Sequence, residues 1–124
     1  MHLSAGDLLR AEVASGSELG QHIKSIIDNG QCVQGETTCK LLENAMVKAG
    51  LEKKFLIDGF PRTADNRDSW AKYLGDKTEL GAVLFFDADE AVMTDRILKR
   101  SATSGRSDDN AEALKKRFAD FRDN

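Results

Sequence analysis

The stretch FLIDGFPR, residues 55–62, decides the fold class. Phe55 to Ile57 is a continuous apolar run that ends at Asp58, and such short runs are typical of buried strands. A second run of this kind covers Ala82 to Phe86. Because residues Thr63 to Leu74 between the two runs have a helical composition, the sequence predicts a crossover connection and two parallel strands. These features place the chain in the α/β class.

Apolar residues recur at helical spacing along most of the remaining chain. This spacing predicts helices over Asp7 to Ala14, from Ser17 to Asn29, before Gly50, from about Asp89 to Ser101, and around Ala113, Leu114, Phe118 and Phe121. A polar loop, Ser104 to Asn110, separates the last two helices. A chain of 124 residues can bury one core, so we expect a single domain.

The composition excludes several classes of protein. Apolar residues at 40% and charged residues at 31% are ordinary values for a globular chain and argue against disorder. No apolar run reaches the length of a membrane span, and a formal charge of −3 argues against general nucleic-acid binding. Cys32 and Cys39 fit neither a zinc site nor a disulfide framework. We therefore expect a cytoplasmic protein with reduced thiols that binds neither nucleic acid nor membrane.

Asp58 and Arg62 form the first candidate site. Ligands of parallel sheets bind at the carboxyl ends of strands, where Asp58 would emerge with Arg62 just beyond it. An acid beside a base at this place suits a magnesium phosphate: the carboxylate would hold metal-bound water, and the guanidinium would fork onto phosphate oxygens. The alternative is a strand-end aspartate that caps a turn, next to an unrelated surface arginine.

A second candidate is the segment Leu3 to Arg10. Ser4 or Asp7 could cap the following helix through a side-chain oxygen, and Arg10 lies one turn into it. Capping explains the hydroxyl and the acid. It does not explain the arginine.

A third candidate is a basic set on two helices and the loop between them, made of Arg96, Arg100, Arg106 and Arg117. Converging guanidinium groups repel one another unless an anion lies between them, and a polyphosphate undergoing transfer is such an anion. The alternative is salt bridging on a solvated face, with the nearby carboxylates Asp95, Asp108, Asp109 and Glu112 as partners.

Four motifs in this order resemble the nucleoside-monophosphate kinases, the family of adenylate and UMP/CMP kinases. They are HLSAGDLLR (2–10), DGFPR (58–62), DRILKR (95–100), and SGRSDDN (104–110) followed by LKKRF (114–118). The resemblance covers essentially the whole chain. It implies a P-loop-kinase-like parallel sheet with helices on both faces, a helical monophosphate-binding subdomain over 17–50 and a short lid over 101–110.

The resemblance also implies roles for individual residues. Arg10, Gly59 and Arg62 would hold the acceptor monophosphate, with Val33 beside its base. Arg62, Arg100, Arg106 and Arg117 would clamp the transferring phosphoryl group, and Arg96 would pack near the adenine of ATP, where Arg100 also binds. Asp58 would support Mg²⁺ through water. In such enzymes the closure of lid and subdomain expels water before transfer.

Two positions bear on the base of the acceptor. Adenylate kinases usually have threonine where Ala5 stands and glutamine where Asn66 stands, whereas UMP/CMP kinases resemble this chain at both, and Trp70 also resembles that group. The implied reaction is therefore transfer of the γ-phosphoryl group of ATP to UMP or CMP. The alternatives are an adenylate kinase acting on AMP, and a non-catalytic monophosphate-binding or interaction module.

Two parts of the family's pattern do not occur in the sequence. No GxxxxGK[ST] loop is present, and the family's final strand and helix do not follow. The resemblance places the missing first strand between the two predicted strands. We therefore expect the fold to be incomplete and the chain to be inactive by itself. Unpaired strand edges recruit partners, so we also expect it to be marginally stable, to self-associate, or to pair with a strand from another segment.

Overall fold

The computed structural model of the chain describes residues 1–123. Within them, the chain forms two strands and six helices. Their bounds are β1 His2–Ser4, α1 Ala5–Ala14, α2 Glu18–Asp28, α3 Gly35–Ala49, β2 Leu56–Asp58, α4 Ala64–Tyr73, α5 Glu90–Ser104 and α6 Ala111–Asp123, with a short 3₁₀ turn at Gly75–Lys77. The predicted α/β class is confirmed, and each predicted helix has an observed counterpart.

The sheet consists of β1 and β2, which pair in parallel. Leu3 lies opposite Ile57 and Ser4 lies opposite Asp58, so both strands end at the same edge of the sheet. The strand β1 was not predicted, because three residues are too few for a periodic signal. Its pairing brings the segment after Ser4 beside the segment after Asp58.

The prediction of a strand at Phe55 to Ile57 is confirmed by β2, but this strand is not buried, since Leu56 is 58% exposed. The prediction of a buried strand over Ala82 to Phe86 is wrong. These residues belong to no helix or strand, and Phe85 and Phe86 are 70% and 88% exposed. A strand needs a neighbour that satisfies its backbone N–H and C=O groups and covers its side chains. Among the described residues the sheet has only the order β1-β2, and this run pairs with neither strand. Sequence propensity alone does not make a strand.

Side-chain caps fix where three helices begin. The Ser4 hydroxyl accepts from the Asp7 N–H, the Ser17 hydroxyl from the Gly20 N–H, and the Thr63 hydroxyl from the Asn66 N–H. Each bond satisfies a donor that the first helical turn leaves free. Since Ser4 is also the last residue of β1, α1 begins directly at the edge of the sheet.

The largest core cluster lies between the sheet and helices α3 and α4. Its buried members are Leu3, Cys39, Leu42, Met46 and Leu74. The N-terminus of α3 approaches α4 closely because residue 35 is glycine: a Cβ there would lie 2.5 Å from the Ser69 hydroxyl. The Gly35 N–H donates to the Asp65 carboxylate at 2.6 Å, and this bond stabilises the packing of α3 against α4.

The second half of the chain is packed less tightly. Helix α5 has no buried residue, whereas α6 buries Ala113 and Leu114. Ala113 lies against Gly30, where an added Cβ would be 3.2 Å from the Ala113 Cα. Helix α6 is thereby held against the loop that follows α2. None of the helices within residues 1–123 combines the length and apolar character that a membrane crossing demands.

Candidate functional site

A cleft opens where the segments that follow β1 and β2 meet α6. Seven of the predicted site residues line it, and we call it the arginine cleft: Ala5, Arg10, Val33, Gly59, Arg62, Asn66 and Arg117. They come from α1, the loop before α3, the turn after β2, α4 and α6. The carboxyl edge of the sheet thus brings together residues that are more than 100 positions apart in sequence, as it does in other parallel sheets that bind ligands.

Arg10 reaches the cleft from the second turn of α1 by folding back over Gly6. A Cβ on Gly6 would lie 3.0 Å from the Arg10 Nη2, so any larger residue would crowd the guanidinium group. Nη2 donates to Asp7 Oδ1 at 2.5 Å, and this is the first cause of the lowered pKa of Asp7. The acid that the sequence allowed as a helix cap therefore holds the arginine instead.

Arg62 lies across the cleft, after the turn that leaves β2. Its Nε donates to the Gly59 carbonyl at 2.9 Å. Gly59 has a φ of +75°, a backbone conformation that residues other than glycine rarely adopt. Within the described part of the chain no carboxylate forms an ion pair with Arg62. Its Nη groups are consequently available to an anion from solution.

Arg117 completes the cationic group from α6. It forms an ion pair with Asp108, whose side chain is 4% exposed. The pKa of Arg117 is lowered, first by burial and then by the positive charges of Arg62, Arg100 and Arg10. An arginine keeps its proton despite such a shift, so the shift reports a concentration of positive charge around it.

Arg100 and Arg106 lie beside the cleft. Arg100 makes two hydrogen bonds to the Asp109 carboxylate, at 2.9 and 2.6 Å, and these are the first cause of the raised pKa of Arg100. Arg106 approaches Asp7 Oδ1 at 3.6 Å and lines an adjoining space of about 450 Å³, which Arg10 also lines. The arginines therefore cluster as predicted, and carboxylates neutralise several of them.

Arg96 stands apart from this group. It is exposed on α5 and lines neither space. Of the four arginines predicted to converge, the structure brings Arg100, Arg106 and Arg117 together and leaves out Arg96.

Asn66 is the buried polar residue of the cleft, at 4% exposure. Its Oδ1 accepts from the Arg62 backbone N–H at 3.2 Å. Its Nδ2 has no hydrogen-bond partner within residues 1–123. Leaving a buried donor unpaired costs about 1–3 kcal/mol. Because Asn66 lines the arginine cleft, an acceptor group of a ligand at that point would pair this donor.

Asp58 ends β2 outside both spaces. Its side chain is 65% exposed, and its Oδ2 lies 3.7 Å from His2 Nε2. A single accessible carboxylate fits a magnesium ion that is held through water and by substrate phosphates. It does not fit an all-protein metal site, and residues 1–123 contain no group of three or more His, Cys, Asp or Glu side chains placed for one.

Cys32 and Thr38 are among the cleft residues that sequence reasoning did not assign to the site. The Cys32 thiol lies near Arg62 and Arg117, whose charges oppose the burial that raises its pKa. Its position next to Val33 was the available signal. Thr38 is 4% exposed and lies one helical turn after Gly35, so its spacing from the helix start was the signal there.

Known proteins are similar in sequence to this chain over nearly its full length. The model of the adenylate kinase family matches residues 1–124. The uridylate kinase of Saccharomyces cerevisiae is 51% identical over 127 residues, which cover 99% of this chain and 60% of that protein. The UMP-CMP kinase of Lentinula edodes is 48% identical, covering 98% and 58%, and adenylate kinase isoenzyme 1 of Homo sapiens is 46% identical, covering 97% and 61%.

The chain spans about three fifths of the length of these relatives. The match also confirms the predicted P-loop-kinase-like fold, of which the parallel pair β1-β2 and the six helices of residues 1–123 are the described part. With the family pattern matched from end to end, the chain belongs to the adenylate kinase family of nucleoside-monophosphate kinases.

Proposed function

We propose that this chain carries the acceptor site of a phosphotransferase that moves the γ-phosphoryl group of ATP to UMP or CMP. One observation carries the proposal: Arg10, Arg62 and Arg117 line one cleft together with the unpaired donor of Asn66. Three guanidinium groups suit a phosphate, and a lone amide donor suits a base. A nucleoside monophosphate has both groups at its two ends.

The phosphate end would be held by the open sides of three guanidinium groups. Within residues 1–123 Arg62 forms no ion pair with a carboxylate, whereas Arg10 is held by Asp7 and Arg117 by Asp108. A phosphate dianion that enters the cleft can take the open side of each guanidinium, since each has several donors. The carboxylates keep the arginines in place while the cleft is free, so the site is organised before the ligand arrives.

The base end favours a pyrimidine in our proposal. Ala5 is 3% exposed and carries no hydroxyl, and Asn66, whose short side chain keeps an unpaired Nδ2, also lines the cleft. Val33, 7% exposed, supplies an apolar wall. The names of the relatives allow either choice, because they include uridylate, UMP-CMP and adenylate kinases.

For the transfer step we propose roles for Arg100, Arg106 and the segment 101–110 as a lid over the subdomain 17–50. The Ser107 hydroxyl already donates to Asp28 Oδ1 at 2.7 Å, which joins these two segments. With Arg62 and Arg117, these arginines would offset the charge of the transferring phosphoryl group. Arg96, exposed on α5, would lie toward ATP, and Asp58 would hold water on Mg²⁺ when the metal accompanies ATP.

We further propose that the chain by itself binds the acceptor without transferring phosphate. The sequence contains no GxxxxGK[ST] loop, which in P-loop enzymes cradles the ATP phosphates with backbone N–H groups and a lysine. The arginine cleft by itself also fits a second candidate, a monophosphate-binding module without catalysis. The two differ once a polypeptide that includes such a loop is assayed with ATP, since only the enzyme then forms UDP or CDP.

We also propose that the chain self-associates through the exposed apolar run Ala82 to Phe86. Phe85 stacks on Phe121 with ring centroids 6.1 Å apart, yet both rings remain mostly exposed. Apolar surface of this kind recruits partners. Sedimentation velocity should show concentration-dependent oligomers, and a monomer at all concentrations would contradict this part of the proposal.

Calorimetric titration tests the proposed substrate. The chain is titrated in turn with UMP, CMP, AMP and inorganic phosphate at one fixed salt concentration. We expect UMP and CMP to bind more tightly than inorganic phosphate, because they add the base contacts, and more tightly than AMP. Preference for AMP would assign the site to an adenylate kinase. Equal affinity for all four ligands would remove the base from the proposal.

A further inference from the structure

Two buried polar side chains in the arginine cleft have no role in holding an arginine side chain. Within residues 1–123 the buried polar residues are Thr38, Asn66, Ser69, Asp108 and Asp109. Three of them, Thr38, Asn66 and Asp108, line the cleft, and Asp108 is occupied by Arg117. Thr38 and Asn66 remain.

Asn66 can offer only a donor to the cleft. Its Oδ1 accepts from the Arg62 backbone N–H, and its Nδ2 is the unpaired atom. Turning the amide over would place the NH₂ group against that N–H, donor against donor. The backbone of Arg62 therefore fixes which end of the amide faces the ligand.

Thr38 can offer only an acceptor. Its hydroxyl has one hydrogen, and this hydrogen is donated to the Gln34 carbonyl at 3.2 Å. The lone pairs of Oγ1 remain, because a hydroxyl accepts as well as donates. Thr38 lies one turn after Gly35, whose N–H bonds Asp65, the residue beside Asn66. The two side chains therefore belong to helical turns that are tied together at the cleft.

We propose that Thr38 reads the base of the acceptor nucleotide together with Asn66, as an acceptor next to a donor. The proposal rests on the proposed function and names the contacts of its substrate. Uracil presents O4 to the Asn66 amide and N3–H to Thr38 Oγ1. Cytosine presents N3 to the amide and its 4-amino group to Oγ1. The 3,4 edges of uracil and cytosine carry donor and acceptor in opposite order, so the same pair of groups accepts both pyrimidines when the ring of one is turned over relative to the other. Adenine, whose N1 and 6-amino group match the order of cytosine, has to be rejected by size.

The test compares Thr38→Val, which keeps the branched shape and removes the hydroxyl, with Thr38→Ser, which keeps the hydroxyl. Both variants and the unchanged chain are titrated with UMP, CMP and a pyrimidin-2-one ribonucleotide, which is CMP without its 4-amino group. Circular dichroism and urea unfolding show whether each variant is folded. We expect Thr38→Val to bind UMP and CMP about threefold to tenfold more weakly, the worth of one hydrogen bond. Thr38→Ser should stay within about twofold of the unchanged chain, since its hydroxyl keeps the same bond.

The pyrimidin-2-one ribonucleotide shows whether Thr38 contacts the 4-amino group of the base or only packs against the ligand. The unchanged chain should prefer CMP over this ligand, and Thr38→Val should bind the two almost equally, because the 4-amino group has then lost its partner. Equal binding of CMP by Thr38→Val and by the unchanged chain would overturn the inference and leave the proposed function intact. A loss in Thr38→Ser as large as in Thr38→Val would overturn it as well. If the unchanged chain binds no monophosphate more tightly than inorganic phosphate, the proposed function and this inference fall together.

Discussion

Residues 1–74 bury a core of apolar side chains, whereas residues 78–105 bury none. The first part buries Leu3, Ile23, Leu42 and Leu74 to 6% exposure or less. The second part, although it contains Leu80, Val83, Leu84, Phe85 and Phe86, has no buried residue at all. We refer to them below as the packed part and the open part.

The difference lies in the partners of each apolar run. Leu56 and Ile57 form β2 because β1 lies beside them, whereas Ala82 to Phe86 has the same kind of sequence without a neighbouring strand. Strand formation depends on such neighbours more than on intrinsic preference. The arginine cleft takes most of its residues from the packed part, and its remaining arginine, Arg117, comes from α6, beyond the open part.

The largest expected effect is on stability, from matched truncations in the two parts. Leu42→Ala removes a side chain of 0% exposure and should lower the free energy of unfolding by about 2–5 kcal/mol. Leu84→Ala removes the same atoms at 70% exposure and should change it by less than about 0.5 kcal/mol. Urea unfolding followed by circular dichroism measures both. Similar losses for the two variants would show that the open part packs in solution.

The next effect concerns binding of the acceptor by a residue of the packed part. Within residues 1–123 the Arg62 guanidinium has no carboxylate partner. Arg62→Ala therefore removes a phosphate contact without freeing a carboxylate, and UMP should bind about tenfold more weakly or worse. Lys99→Ala removes one positive charge from the open part, where Lys99 pairs with Asp95. Isothermal calorimetry should find little change for Lys99→Ala. Equal losses would mean that overall charge, rather than the cleft, attracts the nucleotide.

A smaller effect is expected where the open part meets the loop before α6. The hydrogen bonds from Arg100, and then from Ser104, lower the pKa of Asp109 below 3.8 against the effect of burial. The folded chain therefore gains stability from ionised Asp109 above about pH 4, and loses it as the pH falls toward the lowered pKa. At pH 7 Asp109→Asn should cost about 1 kcal/mol, since Arg100 is 42% exposed and its pairing is partly screened.

Urea unfolding of Asp109→Asn and the unchanged chain at a series of pH values checks this. The difference in free energy of unfolding between Asp109→Asn and the unchanged chain should become smaller below about pH 4. A constant gap down to pH 3 would contradict the assignment of Asp109 as the ionised partner of Arg100.

The smallest effect is on thiol reactivity inside the packed part. Cys32 is partly buried in the cleft, whereas Cys39 is 1% exposed in the core and burial raises its pKa to about 11. Both thiols should react slowly with a disulfide reagent at neutral pH, Cys32 the faster, because the thiolate is the reactive form. Saturating UMP should slow Cys32 further. Cys32→Ser is the control, and protection that persists in this variant would place the nucleotide elsewhere.

Much of this architecture was predictable because its signals are local. The caps at Ser17 and Thr63 and the glycines after α2 and α3 mark helix ends in the sequence itself. The open part was not predictable, since an apolar run such as Ala82 to Phe86 carries no information about whether a neighbour is present. Strand β1 was missed because three residues form no pattern.

In the candidate site, too, some features were predictable from the sequence and others depend on how the helices pack. Arg10, Arg62 and Asn66 were identified through motifs, and the structure places all three in one cleft. The pairing of Asp7 with Arg10, and of Asp108 with Arg117, depends on how α1 and α6 approach the cleft, which spacing in the sequence does not determine. Thr38 was missed for a related reason, because a buried threonine in a helix usually serves packing alone.

The proposed function requires that guanidinium groups in the arginine cleft hold a nucleotide phosphate, and nuclear magnetic resonance of the arginine side chains tests this requirement directly. Spectra of the ¹⁵N-labelled chain are recorded without and with saturating UMP. We predict that the Nε–H signals of Arg10, Arg62 and Arg117 shift, while those of Arg67 and Arg122, which pair with Asp68 and Glu90 outside the cleft, stay in place. Unchanged signals from Arg10, Arg62 and Arg117, or shifts confined to Arg67 and Arg122, would contradict it.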